Sequence, residues 1–125
     1  MMPSNSSINS ILLTKVIATR SLWGVAVAFL GEGAANQGAF HESLNLAAVW
    51  KLPVIFVIED NAWGISVSKS TSTAIEHNDA RAAAYGIPGH FIPDNDPMAI
   101  FEVAGEAIDR ARRAYNPYRF CVDRG

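Results

Sequence analysis

The chain lacks the features that mark several broad classes of protein. Its only cysteine, Cys121, cannot form a disulfide within the chain, and no Cys/His spacing typical of a zinc site occurs. Because Cys121 falls in a predicted strand, we expect a buried structural thiol. No apolar run approaches the ~20 residues that a membrane-spanning helix needs. The net charge of −2 argues against nucleic acid and anionic membranes as partners.

The two ends of the sequence differ in composition. With 125 residues, 50% of them hydrophobic, the chain suits one small globular domain. Residues 1–23 are rich in Ser and Asn at first and then apolar, and they contain no acid. We interpret them as a divergent N-terminal leader that precedes the domain. The expected compartment is the cytoplasm; the alternative, a mitochondrial transit peptide, would place the protein in the matrix.

Two short motifs each follow an apolar run that reads as a buried strand. Residues 31–38 (GEGAANQG) follow the run at 25–30, and residues 59–64 (EDNAWG) follow the run at 54–58. The segment 38–51 between them has the length and apolar distribution of a buried helix. Two continuous apolar strands joined by a helix predict parallel pairing. Ligands of such sheets bind at the carboxyl ends of the strands, where Glu32 and Asn61 supply oxygen atoms suited to Mg²⁺.

The remaining sequence continues the alternation of strands and helices. Short helices or strands are predicted at 79–85, 90–93 and 118–123, and the Ser/Thr-rich residues 66–78 read as an exposed loop. Asp96 before Pro97 marks the start of a helix that continues to about residue 115. The predicted fold is therefore a three-layer α/β arrangement, with a mainly parallel sheet (strands near 25–30, 54–59, 90–93 and 118–123) and flanking helices.

Other known motifs are excluded because each lacks one required residue. A dinucleotide-binding fingerprint needs glycine where the chain has Asn36, and a phosphate-binding loop ending in Gly-Lys meets Ala39. The pair His41-Glu42 begins a zinc-protease motif, but that motif needs a second histidine where Asn45 stands. We therefore interpret His41 as an interface or helix-surface residue.

The two motifs resemble the thiamine diphosphate motif, which begins Gly-Asp-Gly and ends in Asn after the next strand. Residues 31–67, including HESLNLAAVWKLP at 41–53, are similar to the alpha subunit of the first component of 2-oxo acid dehydrogenase complexes. Residues 81–89 and 94–97 continue the resemblance, which covers roughly 24–125. The resemblance implies that 24–125 are a partial thiamine diphosphate-binding domain.

The resemblance also implies an activity and a set of partners. The activity is oxidative decarboxylation of a 2-oxo acid with acyl transfer to lipoamide. The partners are a beta subunit and the lipoyl-bearing acyltransferase of the complex, within an oligomer. Pyruvate, branched-chain oxo acids and acetoin-type substrates remain open.

Carried over residue by residue, the resemblance implies a site for thiamine diphosphate and Mg²⁺. The metal ligands are the side chains of Glu32 and Asn61 and the backbone carbonyl of Trp63. The other cofactor-binding positions are loop residues whose amides or polar groups face the diphosphate: Gly31, Gly33, Ala34 and Asn36. For Asn36, capping of the following helix is an equal alternative.

Two positions depart from the family pattern. The family has Asp where this chain has Glu32, and because Mg²⁺ demands near-ideal octahedral geometry, the longer side chain must change rotamer or bind through water. The family commonly has Asn where this chain has Asp60, which adds negative charge near the diphosphate.

Three hypotheses follow. The resemblance starts near Gly24 and stops at Gly125, before a His-bearing loop of the family, so we expect a fragment or a truncated gene product. In that family the acid that activates the cofactor comes from the partner subunit; no catalytic residue is therefore expected here, and the chain alone should be inactive. The chain is thus a working portion of the dehydrogenase, a non-catalytic remnant that binds no cofactor, or an interaction module that pairs through the helix at 38–51.

Overall fold

The computed structural model describes residues 24–114 and 118–123 and is built on a four-stranded parallel sheet. The strands of the described part are β1 (Ala26–Gly31), β2 (Val54–Asp60), β3 (Trp63–Gly64), β4 (Val67–Ser68), β5 (Gly89–Ile92) and β6 (Tyr118–Asp123). The main sheet has the order β1-β2-β6-β5, and each neighbouring pair is parallel, as predicted. The leader at 1–23 and the side chain of Cys121 lie outside the described residues.

Three α-helices and three 3₁₀ helices connect the described strands. The α-helices are α1 (Gly38–Val49), α2 (Lys69–Ser72) and α3 (Pro97–Ala114), and the 3₁₀ helices are Ala34–Asn36, Asn78–Tyr85 and Pro93–Asn95. Helix α1 ends two residues before the predicted boundary, because Lys51 already has a positive φ of 51°. The predicted helix at 79–85 is a 3₁₀ helix that ends at Tyr85 and is capped by Gly86, whose φ of 65° suits glycine.

Strand β2 is the centre of the molecule because its two faces are buried by different layers. Val54, Phe56 and Ile58 belong to a cluster with the α1 residues Phe40, Leu44 and Ala47. Ile55 and Val57 belong to a second cluster that holds the α3 residues Ala107 and Ala111. Because successive side chains of a strand point to opposite faces, the continuous apolar run at 54–58 is what two covering layers require. The predicted three-layer α/β fold is confirmed.

The Ser/Thr-rich segment is more ordered than the predicted loop. Strands β3 and β4 form a two-stranded antiparallel ribbon, and the single turn of α2 follows it directly. The hydroxyls of Thr71 and Ser72 donate to the carbonyl oxygen of Ser68 at 2.9 and 3.2 Å. Such side-chain hydrogen bonds let a segment without apolar periodicity close a helical turn.

Helix α3 begins as the sequence predicts. The Asp96 carboxylate accepts hydrogen bonds from the backbone N–H groups of Met98 and Ala99 at 2.9 and 3.4 Å. This satisfies two amides that a helix start otherwise leaves without partners. Among the helices of the described residues, none combines the length and the apolar character needed to cross a membrane.

Candidate functional site

The two motifs meet in a cleft at the carboxyl ends of β1 and β2. The parallel register pairs Gly31 with Glu59, which brings the residues after each strand side by side. The cleft has a volume of about 530 Å³ and is lined by residues of both motifs and of the ribbon: Gly31, Glu32, Gly33, Ala34, Gln37, Glu59, Asn61, Trp63, Gly64 and Ile65. The structure thus gathers six of the seven predicted site residues in one place, Asn36 being the exception.

Glu32 is the most unusual side chain of the cleft. Its exposed fraction is only 4%, and within the described residues its buried Oε1 atom has no hydrogen-bond partner. An unpaired buried carboxylate oxygen costs several kcal/mol in principle, so such a group is normally matched by a cation or a donor. A hard cation in the cleft would match it, and the residues present therefore fit an oxygen-ligated Mg²⁺.

Asn61 and Trp63 lie on a tight turn that lines the same cleft as Glu32. The Asn61 side-chain oxygen accepts a hydrogen bond from the Trp63 backbone N–H at 2.9 Å. A carboxamide oxygen has a second lone pair, so this contact leaves Asn61 able to bind a cation. Ala62, between the two residues, has a φ of 66°. Trp63 is 57% exposed, and a metal-binding role for its backbone carbonyl stays a prediction.

Asp60 turns away from the cleft, although its neighbours Glu59 and Asn61 line it. Its carboxylate accepts hydrogen bonds from the Ala62 backbone N–H at 3.0 Å and the Asn78 side-chain amide at 3.1 Å, and it forms an ion pair with Lys69. The negative charge of Asp60, which the sequence analysis expects near the diphosphate, is therefore matched by a lysine. Sequence reasoning missed Lys69, and only the alternation of side chains along β2 could have shown that Glu59 and Asp60 face opposite ways.

The two motif loops touch through a pair of glycines. A Cβ atom built on Gly33 would lie 3.3 Å from the Cα atom of Gly64, and one built on Gly64 would lie 3.4 Å from the Cα atom of Gly33. Backbones approach this closely only where side chains are absent. The contact holds the loop that carries Glu32 against the ribbon that follows Asn61.

Asn36 ties the first loop to the segment after α2 and does not line the cleft. Its side-chain nitrogen donates to the Thr73 hydroxyl at 2.9 Å and the Ser72 carbonyl at 3.3 Å, and its side-chain oxygen accepts from Arg81. The alternative that Asn36 caps α1 is wrong, because Gln37 occupies the N-cap position. A direct contact between Asn36 and a cofactor stays a prediction.

A polar network lies behind the first loop. The Arg81 guanidinium donates to the Ala35 carbonyl and lies 3.3 Å from Nε2 of His41, whose Nδ1 lies 2.8 Å from the Tyr85 hydroxyl. Partial burial lowers the pKa of Arg81 below its usual value, although a guanidinium stays charged at neutral pH. His41 therefore lies at an interface between α1 and the Asn78–Tyr85 helix, one of the two roles the sequence predicts.

The donor set of the cleft is mixed rather than acidic. In the part of the chain that the structure describes, no three His, Cys, Asp or Glu side chains cluster closely enough to hold a metal ion. The side-chain oxygen atoms along the cleft belong to two carboxylates, Glu32 and Glu59, and two carboxamides, Gln37 and Asn61.

The sequence matches one protein family along most of its length. The family described as "Dehydrogenase E1 component" matches residues 15–119. The alpha subunit of acetoin:2,6-dichlorophenolindophenol oxidoreductase from Cupriavidus necator is 53% identical over 93 residues, which are 74% of this chain and 28% of that protein. The pyruvate dehydrogenase E1 component subunit alpha from Porphyra purpurea is 36% identical over 114 residues, which are 91% of this chain and 33% of that protein.

A further relative and one solved structure also match the chain. The 2-oxoisovalerate dehydrogenase subunit alpha from Bacillus subtilis is 48% identical over 87 residues, 70% of this chain and 26% of that protein. A transketolase from Leishmania mexicana matches 80% of this chain and 15% of its own with a TM-score of 0.60 at 22% identity, which shows a shared fold. The chain spans a third or less of the length of these curated relatives.

Proposed function

Because the chain belongs to the dehydrogenase E1 component family, we propose that it forms part of the thiamine diphosphate site of a 2-oxo acid dehydrogenase alpha subunit. The observation that carries the proposal is the buried Oε1 atom of Glu32, which has no partner in the described part of the chain. It lies at the end of β1, in the cleft that Asn61 and Trp63 also line. A divalent cation bound there would compensate the carboxylate.

The cleft supplies different groups for the two parts of such a ligand. Glu32, the Asn61 side chain and the Trp63 carbonyl would hold Mg²⁺. The loop residues Gly31, Gly33 and Ala34 lack bulky side chains, so their backbone can approach a diphosphate closely. Thiamine diphosphate, when bound, supplies the carbanion chemistry, while the protein binds and orients it.

The activity proposed for the assembled protein is oxidative decarboxylation of a 2-oxo acid with acyl transfer to lipoamide. Relatives named as acetoin, pyruvate and 2-oxoisovalerate enzymes are all similar to this chain, so the substrate stays open among these classes. We propose a beta subunit and a lipoyl-bearing acyltransferase as partners in an oligomer. The cytoplasm stays the predicted compartment.

The direct test is calorimetric titration of thiamine diphosphate into the purified, folded chain, first with Mg²⁺ and then with a chelator. The three proposed metal ligands all lie in this chain, so we expect Mg²⁺-dependent binding even without a beta subunit. An Asn61→Ala variant should lose that binding. Asn45→Ala, on an exposed position of α1, is the matched control and should retain it.

Two results would count against the proposal. Folded chain that binds no thiamine diphosphate in Mg²⁺, alone and with a beta subunit of the family added, would favour the alternative of a remnant or interaction module of the same fold. Binding that is unaffected by chelator would place the ligand away from Glu32 and Asn61.

A further inference from the structure

Lys69 and Asp60 both form hydrogen bonds with the backbone of Ala62, the residue between the two proposed metal ligands on the second loop. The Ala62 N–H donates to Oδ1 of Asp60 at 3.0 Å, and the Ala62 carbonyl accepts from the Lys69 backbone N–H at 2.8 Å. The Lys69 ammonium closes the loop by pairing with Oδ2 of Asp60. Both peptide groups of Ala62 are thus fixed by the same two residues.

Ala62 needs such support because of its backbone conformation. Its φ of 66° lies in the left-handed region, which costs a residue with a Cβ roughly 1–2 kcal/mol. Conformations of this kind persist only where the surroundings impose them. The direction of the Asn61 side chain and of the Trp63 carbonyl depends on this one residue, because it lies between them.

We propose that Asp60 and Lys69 are positioning residues that hold Ala62 left-handed, so that Asn61 and Trp63 present their oxygen atoms to a metal. The inference rests on the proposed function for the identity of the ligand. Neither residue lines the cleft, and their side chains are only 5% and 17% exposed, so they act through the turn and not by contact. The Asn78 side-chain amide also donates to Oδ2 of Asp60, at 3.1 Å.

The charge pair explains the departure from the family pattern at this position. A hydrogen bond to a carboxylate is stronger than one to a neutral amide. The bond from the Ala62 N–H to Asp60 is therefore stronger than the same bond to an asparagine would be. The buried Asp60 carboxylate in turn requires Lys69, because a buried charge without its partner strongly destabilises the folded chain. Asp60 and Lys69 therefore work as a unit.

The test compares Lys69→Met with a control of equal charge change, Lys51→Met, at an exposed position after α1. Mn²⁺ serves as an EPR-visible probe for Mg²⁺, in the presence of thiamine diphosphate. Lys69→Met should bind Mn²⁺ about tenfold more weakly, and Lys51→Met should bind like the wild type. Hydrogen exchange of the Ala62 amide should be about tenfold faster in Lys69→Met, with or without metal.

Rescue separates positioning from a loss of overall stability. Glycine adopts a positive φ without the cost of a Cβ, so Ala62→Gly combined with Lys69→Met should recover most of the Mn²⁺ affinity. A general loss of stability would not be repaired in this way. The double variant Asp60→Asn/Lys69→Met removes the ion pair without leaving a buried charge, so it can replace Lys69→Met if that variant does not fold. It should also bind Mn²⁺ more weakly than the wild type.

The outcomes distinguish this inference from the proposed function. Wild-type and Lys69→Met chains that bind Mn²⁺ equally, with equal exchange at Ala62, would overturn the positioning role and leave the proposed function standing. A folded wild type that does not bind Mn²⁺ in the presence of thiamine diphosphate, alone and with a beta subunit of the family added, would overturn the proposed function, and the metal-binding role of the pair with it. The exchange rate at Ala62 would then still decide whether the pair holds the turn.

Discussion

Gly33 and Gly64 meet backbone to backbone, with a distance of 3.3 Å between an ideal Cβ position on Gly33 and the Cα atom of Gly64. One residue belongs to the loop after β1 and the other to the ribbon after β2. The contact therefore holds the loop that contains Glu32 against the segment that contains Asn61 and Trp63. The width of the cleft depends on this close approach, which is possible because neither glycine has a side chain.

Gly33→Ala should therefore weaken metal binding more than it weakens the fold. Gly33 has helical backbone angles (φ −64°, ψ −41°), which alanine adopts without strain, so the only new cost is the approach to Gly64. We expect Mg²⁺-dependent binding of thiamine diphosphate to weaken about tenfold, which is about 1.4 kcal/mol, in a calorimetric titration.

Gly105→Ala is the control for this substitution. A Cβ on Gly105 in α3 would meet nothing within 4 Å, so alanine should raise the free energy of unfolding by about 0.5–1 kcal/mol and leave binding unchanged. Equal binding by Gly33→Ala and wild type would show that the loops are not held by this contact.

Much of the sheet was predictable because its apolar runs are simple. The runs at 25–30 and 54–58 predict buried parallel strands, and the register confirms them by pairing Ala26 with Val54. The position of Glu32 and Asn61 at one edge of the sheet followed from this pairing alone. Asp96 before Pro97 was an equally local signal, since a cap and its amides lie within three residues of each other.

What the sequence did not show depends on contacts between distant segments. The sequence does not show whether the Asn36 side chain contacts a cofactor or Thr73, because the residues that form hydrogen bonds with it lie 36 to 45 positions away. The ion pair of Asp60 with Lys69 crosses a ribbon whose strands are only two residues long, too short for a periodic pattern.

Asp96→Ala should lower the stability of the chain without affecting the cleft. The substitution leaves the amides of Met98 and Ala99 without their carboxylate partner, and loss of an N-cap typically costs about 0.5–2 kcal/mol. Chemical denaturation should show this loss, while Asp96→Ser should retain most of the stability. A free energy of unfolding equal to that of the wild type would mean that water caps the helix as well as Asp96 does.

Gly89→Ala should destabilise the fold, in contrast to Gly105→Ala. A Cβ on Gly89 in β5 would lie 2.6 Å from the Asp79 carbonyl oxygen and 3.0 Å from the Ala82 side chain. The Asn78–Tyr85 helix would have to move off the strand, and overpacking of this kind costs about 1–3 kcal/mol. Thermal unfolding should show a lower midpoint, and no change would indicate that this helix packs loosely on β5.

Glu32→Gln should remove the response to Mg²⁺ without weakening the metal-free chain. The substitution replaces a buried carboxylate that lacks a partner among the described residues by a neutral group of the same size, whose burial costs less. Saturation of the wild type at 100 times its dissociation constant would stabilise it by about 2.7 kcal/mol. In thermal unfolding with Mg²⁺ and thiamine diphosphate, the wild-type midpoint should rise and that of Glu32→Gln should not. A rise in both would place the metal elsewhere.

Glu32→Asp decides between a working site and a remnant, because aspartate is the residue that the family pattern has at this position. A shorter carboxylate on the same backbone would ligate Mg²⁺ without the rotamer change or the bridging water that the longer Glu32 side chain requires, and Mg²⁺ tolerates little deviation from octahedral geometry. We expect Glu32→Asp to bind thiamine diphosphate in Mg²⁺ at least as tightly as the wild type, with Glu106→Asp on the exposed side of α3 as the matched control. Absence of binding by both Glu32→Asp and wild type, in folded chains with a beta subunit present, would mean that the reach of the carboxylate is not the defect and that the chain keeps the fold without the cofactor.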